Sequence, residues 1–274
     1  MTPAPSARTR RRLGQHFLAD PGAVRRLIEA VAPQPGERFF EVGPGRGALT
    51  APLLEAGVKV LALEIDPRLV RRLESVTASE NLRIVAGDVL RVDLAALFDQ
   101  ELPPGRGLRA VGNLPYSVAS PVILRLLALS ERFEDLTLMV QREVGERILS
   151  PPGKREYGIL TLLCGCRAEA VRLLDLPPGC FSPPPEVHST VLRFKPRLSP
   201  FASSADGAIF ERVVKAAFSA RRKKIRNSLS GGSGLPPEKV EEWLEAAGLD
   251  PAARPEDVPL QGYLELARRR PQMP

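Results

Sequence analysis

Residues 38 to 50, RFFEVGPGRGALT, place an acid and three alternating glycines (Glu41, Gly43, Gly45, Gly47) at the end of a short apolar run. That order reads as a buried strand, a tight bend and the start of a helix at Ala48. Glycine suits such a bend because the backbone takes positive φ and a ligand must approach the main chain closely. The spacing is Gly-x-Gly-x-Gly, not the Gly-x-Gly-x-x-Gly of dinucleotide sites. Glu41 sets a negative charge at the mouth of the turn, which repels a pyrophosphate and holds a cation. The pattern therefore points to S-adenosyl-L-methionine, whose sulfonium is the cation; a purely structural turn is the competing reading.

About twenty residues beyond Gly45 stands Glu64, the usual separation between a glycine turn and an acid that binds ribose hydroxyls. Asp66 reads as a helix cap before Pro67. Asp88, in Gly-Asp-Val, suits the amino group of an adenine, with a cap or turn role as the alternative. Asn113-Leu114-Pro115-Tyr116 then suggests the reaction. An exocyclic base amine is a poor nucleophile because its lone pair is delocalised into the ring. The Asn113 side chain and the Leu114 carbonyl form an acceptor pair for its two hydrogens. Pro115 stiffens the turn and brings no donor. Tyr116 offers a face for the target base, worth about 1–3 kcal/mol, and alignment with the methyl donor supplies a proximity effect. No histidine or cysteine base is then required.

Strands and helices must alternate to position these residues, and they do. Strand patterns end at Glu41, Glu64, Asp88 and Asn113, separated by helical patterns, and a further strand, DLTLMVQ, leads into a helix from Arg142. This predicts an α/β fold with a doubly wound parallel sheet and a site at the carboxyl ends of its strands. Upstream, Asp20 and Pro21 open a helix bearing Val24, Leu27, Ile28 and Val31 on one face. Residues 168–176 and 189–195 alternate like strands around PPGCFSPPPEV, which is too proline-rich for regular structure. After Pro200 the patterns are helical, with SGGSG at 230–234 separating two helices. The expected domains are a basic disordered arm over 1–12, a cofactor-binding domain over 13–199 and a helical domain over 200–274.

The chain has 274 residues, 43% of them hydrophobic and 26% charged, as in a globular protein. Its 39 basic and 32 acidic side chains leave +7, which favours a polyanionic partner. Arg10, Arg11 and Arg12 in the arm, and Arg221, Arg222, Lys223, Lys224 and Arg226 after an apolar helix face, are candidate phosphate contacts. The three cysteines (Cys164, Cys166, Cys180) read as small buried residues in a reducing, cytoplasmic compartment. Two histidines form no metal cluster, and no run of 18 apolar residues suggests a membrane span.

Gln15-His16-Phe17-Leu18, EVGPGRGALT, LEID, GDV, NLPY, MVQREVGERI, CFSPPPEVHSTVLRF and FSARRKKIRNSL occur in that order. From Gln15 to the C-terminus the chain resembles the rRNA adenine N6,N6-dimethyltransferases, most closely the bacterial small-subunit enzymes. The resemblance implies a Rossmann-like S-adenosyl-L-methionine-dependent methyltransferase sheet with a small all-α C-terminal domain. It implies dimethylation of two neighbouring adenosines in a hairpin near the 3′ end of small-subunit rRNA, with the immature 30S subunit as partner, and a monomer. By position it implies cofactor contacts at His16, Leu18, Gly43, Gly45, Glu64, Asp88 and Asn113. The family usually has Asn where this chain has His16, so a backbone contact is expected there. Phe181 is expected as the second face of a base clamp opposite Tyr116.

Three other readings compete. Large-subunit rRNA methylation conferring antibiotic resistance differs in substrate. DNA adenine or protein glutamine methylation is disfavoured by Leu114, where those motifs generally carry a second proline. A non-catalytic assembly factor that holds immature small subunits is compatible with catalysis.

Overall fold

The computed structural model describes residues 15–77, 79–102, 107–201, 203–220 and 222–271. Contacts divide the chain into two compact units, one of residues 1–145 and 169–196, the other of 146–168 and 197–274.

In the first unit the central apolar runs become strands buried on both faces, as parallel strands between helices require. β1 (Phe17–Leu18) precedes α1 (Pro21–Val31), whose N-cap Asp20 accepts from Ala23 N at 2.6 Å. Ala23, Leu27 and Val31 of α1 are buried. There follow β2 (Arg38–Val42), α2 (Thr50–Glu55), β3 (Lys59–Glu64), α3 (Pro67–Val76), β4 (Leu82–Ala86), α4 (Leu94–Glu101), β5 (Leu108–Asn113), α5 (Ala119–Leu127) and β6 (Phe133–Gln141). α6 (Arg142–Leu149) carries the chain out of this unit. β7 (Ala168–Leu176), β8 (Phe181–Ser182) and β9 (Ser189–Pro196) bring it back.

The seven-stranded sheet has the order β4-β3-β2-β5-β6-β9-β7. β2 pairs in parallel with both β3 and β5, so the chain winds one way from β2 and then the other. The crevice beyond the carboxyl end of β2 is thus the switch point of the sheet, where ligands of such folds sit. The sheet is not wholly parallel, because β9 runs antiparallel to β6, Met139 opposite Val191 and Gln141 opposite Ser189. A strand that returns from a separate unit is free to enter in the opposite sense. α2 starts at Thr50, two residues later than expected, because the turn runs on through Leu49, which caps the helix. The proline-rich segment also holds regular structure after all. β8 fits between Cys180 and Pro183 and pairs antiparallel with β1, Leu18 opposite Phe181.

The second unit contains α7 (Ile159–Gly165), α8 (Ser204–Ala217), α9 (Ile225–Ser233), α10 (Pro237–Ala246) and α11 (Leu260–Arg268). Residues 146–168 belong here and not with the sheet; Tyr157 Oη donates to Val258 O at 3.0 Å. The boundary therefore differs from a single cut near residue 200. Of the SGGSG glycines, Gly231 and Gly232 lie within α9, while Gly234, at φ +76°, caps it and separates it from α10. A Cβ on Gly232 would stand 2.6 Å from Ala216 Cα, so the lack of a side chain at this one glycine lets α8 and α9 cross closely. Among the described residues no helix is long and apolar enough to cross a membrane.

Candidate active site

A cavity of about 220 Å³ lies at the switch point. The 15–18 segment, the glycine turn, the ends of β3 and β5 and residues 87–90 line it. Each glycine of the turn is required for a different reason. All three have positive φ, +66°, +59° and +85° for Gly43, Gly45 and Gly47. A Cβ on Gly45 would press on the Phe17 ring at 3.0 Å, and one on Gly47 would meet Leu73 at 2.8 Å. At Gly43 it would meet nothing, so this glycine leaves open space beside bare backbone.

Glu64, 2% exposed, is held as an acceptor by two main-chain donors. Gly45 N donates to one oxygen at 3.0 Å and Asp66 N to the other at 2.9 Å. Burial raises its pKa, and these bonds oppose the rise. Each carboxylate oxygen keeps a further lone pair, which suits ribose hydroxyls. Asp66 caps α3 and takes a forked pair of bonds from Arg68, at 2.9 and 2.7 Å, so Arg68 is not bonded to Glu64. Asp88 lines the cavity and accepts from Leu90 N at 2.9 Å, which leaves acceptor capacity toward an adenine.

Glu41 departs from expectation. It is not a charge at the mouth of the turn but is 1% exposed beneath it, with Thr50 Oγ1 donating to its carboxyl at 2.7 Å. Burial, with Glu64 nearby, pushes its pKa up from 4.5 to about 7 despite that bond. The folded chain thus holds a proton that the unfolded chain releases. This contribution is fully present below about pH 4.5 and is lost as pH rises toward 7, a change on the order of 3 kcal/mol. A cation bound in the cavity favours the ionised form. Affinity for a cationic ligand should therefore rise with pH through about 7, and titrations at about pH 6 and 8 should lose this difference in Glu41→Gln. An unchanged pH dependence in that variant would exonerate Glu41.

Asn113 ends β5 with its amide turned by the neighbouring segment. Nδ2 donates to His16 O at 2.8 Å. A carbonyl needs a donor, so this contact fixes the amide orientation and frees Oδ1 to accept from elsewhere. The His16 backbone thus orients Asn113. Leu114 N donates to Met139 O at 3.1 Å, and Val118 N to Pro115 O at 3.0 Å, closing the rigid turn. Tyr116 Oη is bonded to Ser189 Oγ at 2.7 Å. Burial raises the phenol pKa, with the Ser189 bond opposing, so Tyr116 is a neutral ring and not a base.

Phe181 requires a correction. It is 4% exposed and packs in the core with Leu18, Leu27, Leu176 and Cys180, away from the cavity lining. Pairing of β8 with β1 turns its side chain inward. Leu18 lines the cavity while packing in that same core. Several contributors have no local signal. Ser189 arrives from the distant β9, and the exposed Ile65 provides an apolar wall beside Glu64. Gly112 is detectable only as a glycine before Asn113; a Cβ there would lie 2.9 Å from Val42 O.

In the second unit Arg222, Lys223 and Lys224 are exposed just before α9. Arg222 adopts φ +70°, uncommon for a non-glycine residue. Arg226 is half-buried and pairs with Glu241 at 2.8 Å. Arg221 and the arm with Arg10, Arg11 and Arg12 lie outside the described residues. Cys164, Cys166 and Cys180 are buried free thiols, and burial raises the pKa of each.

Residues 6–269 match the family described as ribosomal RNA adenine dimethylase. The sequence is 39% identical over 264 residues to ribosomal RNA small subunit methyltransferase A of Aromatoleum aromaticum, covering 94% of this chain and 93% of that one. To the protein of the same name in Pseudomonas aeruginosa it is 37% identical, covering 97% and 96%. Among solved structures it is similar to the 23S rRNA methyltransferase ErmE, with 27% identity and TM-score 0.65, covering 92% and 98%. A dimethyladenosine transferase from Plasmodium falciparum, 24% identical with TM-score 0.75 over 92% and 96%, shares the fold.

Proposed function

The chain belongs to the ribosomal RNA adenine dimethylase family, and from that premise we propose that it dimethylates the N6 amines of two adjacent adenosines in a hairpin near the 3′ end of small-subunit rRNA. The observation that carries the site assignment is the Asn113 amide, locked by the His16 carbonyl with its oxygen left free at the cavity. When bound, S-adenosyl-L-methionine supplies a methyl group made electrophilic by its positively charged sulfur. Glu64 holds the ribose hydroxyls, Asp88 the adenine amino group, and the glycine turn admits the donor against bare backbone. The fit rests on the two ordered lone-pair sets of Glu64 and the open space at Gly43.

Asn113 Oδ1 and the Leu114 carbonyl accept the two hydrogens of the target amine and leave its lone pair directed toward the methyl. Tyr116 supports the face of the base. These residues orient and polarise; water takes the proton released from nitrogen. Arg222, Lys223 and Lys224, with Arg221, Arg226 and the N-terminal arginines, contact rRNA phosphates. A cytoplasmic site of action and a role in small-subunit assembly follow from an immature 30S substrate.

Small subunits from cells lacking this methylation, incubated with the protein and donor, should gain two dimethyladenosines by mass spectrometry, whereas large subunits should not. A product on 23S rRNA alone would overturn the substrate assignment. In the same assay Lys223→Ala with Lys224→Ala should flatten the fall of rRNA affinity with salt. An unaltered slope would remove this turn from the interface.

A further inference from the structure

One face of the Tyr116 ring, the ring assigned to the target base, is already covered. The His16 ring lies against it, centroids 5.3 Å apart and planes inclined by 27°. Tyr116 is tethered through its hydroxyl to Ser189. Among the described residues the imidazole makes one side-chain hydrogen bond, between Nδ1 and Pro183 O at 2.8 Å, in which Nδ1 must be the donor. The main chain is fixed separately. His16 O takes the Asn113 amide, and Phe17 and Leu18 pair with β8. The ring can therefore turn without moving the backbone that orients Asn113. Phe181, the alternative partner for a base, is committed to the core.

We propose that the His16 imidazole is the wall opposite Tyr116, covering that ring when no base is present and turning aside to hold the extruded adenine between the two. This rests on the reading that the target amine is presented at Asn113. A base between two rings needs room for two ring–ring contacts, whereas centroids about 4.5–7 Å apart are those of a single aromatic pair. At 5.3 Å the slot is closed. One hydrogen bond to a carbonyl is all the described contacts require the side chain to break. A flat ring then replaces water on the outer face of the base and aligns its amine with the Asn113 oxygen.

The test uses the full-length protein and immature small subunits. His16→Ala should lower kcat/KM for the particle by about five- to a hundredfold, the range of one base–aromatic stack. Donor affinity should be unchanged. His16→Phe, which keeps a flat face but has no Nδ1 donor, should recover most of the loss. With 2-aminopurine ligated in at the target position, emission should be quenched by wild type and by His16→Phe and remain bright with His16→Ala. The proposal is overturned if His16→Ala methylates as fast as wild type, if His16→Phe fails equally, or if the loss lies in donor affinity. A wild-type protein that left the particle unmethylated would instead strike at the underlying active-site reading.

Discussion

Asn113→Ala should lower methyl transfer by about 10²–10³-fold, the usual cost of removing one positioned polar partner from a reacting centre. Binding of rRNA should persist. The side chain has two roles that kinetics can separate. Its oxygen is assigned to the amine at the moment of reaction, so its loss lowers kcat and kcat/KM together. Its nitrogen is bonded to His16 O, so loosening of the 15–18 segment shows as weaker donor binding with kcat preserved. Asn113→Asp is not a mild change here, because its carboxylate faces the same carbonyl and two acceptors repel. Single-turnover transfer on small subunits distinguishes these effects. Normal chemical rates in Asn113→Ala would remove the residue from the reaction.

Glu64→Ala should weaken donor binding by about 10²–10⁴-fold. Two hydroxyl bonds to a charged acceptor are each worth about 1.5–3 kcal/mol, and each 1.4 kcal/mol is a factor of ten. Glu64→Gln should be nearly as damaging, which is the sharper expectation. Both carboxylate oxygens already accept from main-chain N–H groups, of Gly45 and Asp66. A glutamine must aim its NH₂ at one of these donors, leaving a buried N–H without an acceptor and loosening either the glycine turn or the start of α3. Calorimetry with the donor, together with thermal unfolding, reads both effects. Wild-type affinity in Glu64→Gln would place the ribose elsewhere.

The glycine turn, the acids at strand ends and Asn113 were legible because each depends on nearby sequence: backbone conformation, strand periodicity and the carboxyl-end rule. The fate of Glu41 was not. Its acidity depends on how deeply the turn covers it and on Thr50, neither visible in local spacing. Phe181 and Phe17 look alike as aromatics in loops. The β1–β8 pairing, between segments more than 160 residues apart, sends one into the core and leaves the other beneath Arg46, whose guanidinium carbon lies 4.6 Å from the Phe17 ring centroid. The resemblance named the correct family, yet a residue's role in relatives does not fix its packing in this chain. Residues 146–168 joined the helical unit because tertiary contacts such as Tyr157 to Val258 override proximity in the chain.

The excursion of the chain through 146–168 before it returns to the sheet has a bearing on biosynthesis. Strands β2 to β6 emerge from the ribosome early, but the outer side of β6 stays an unpaired apolar edge until β9 follows nearly fifty residues later. Such an edge invites association with other nascent chains. The segment bearing His16, made early, has no strand partner until Phe181 is translated. A ribosome stalled before that codon should therefore display a protease-resistant sheet core with Gln15 to Leu18 still open to cleavage, and the methylation centre is among the last parts of its unit to mature.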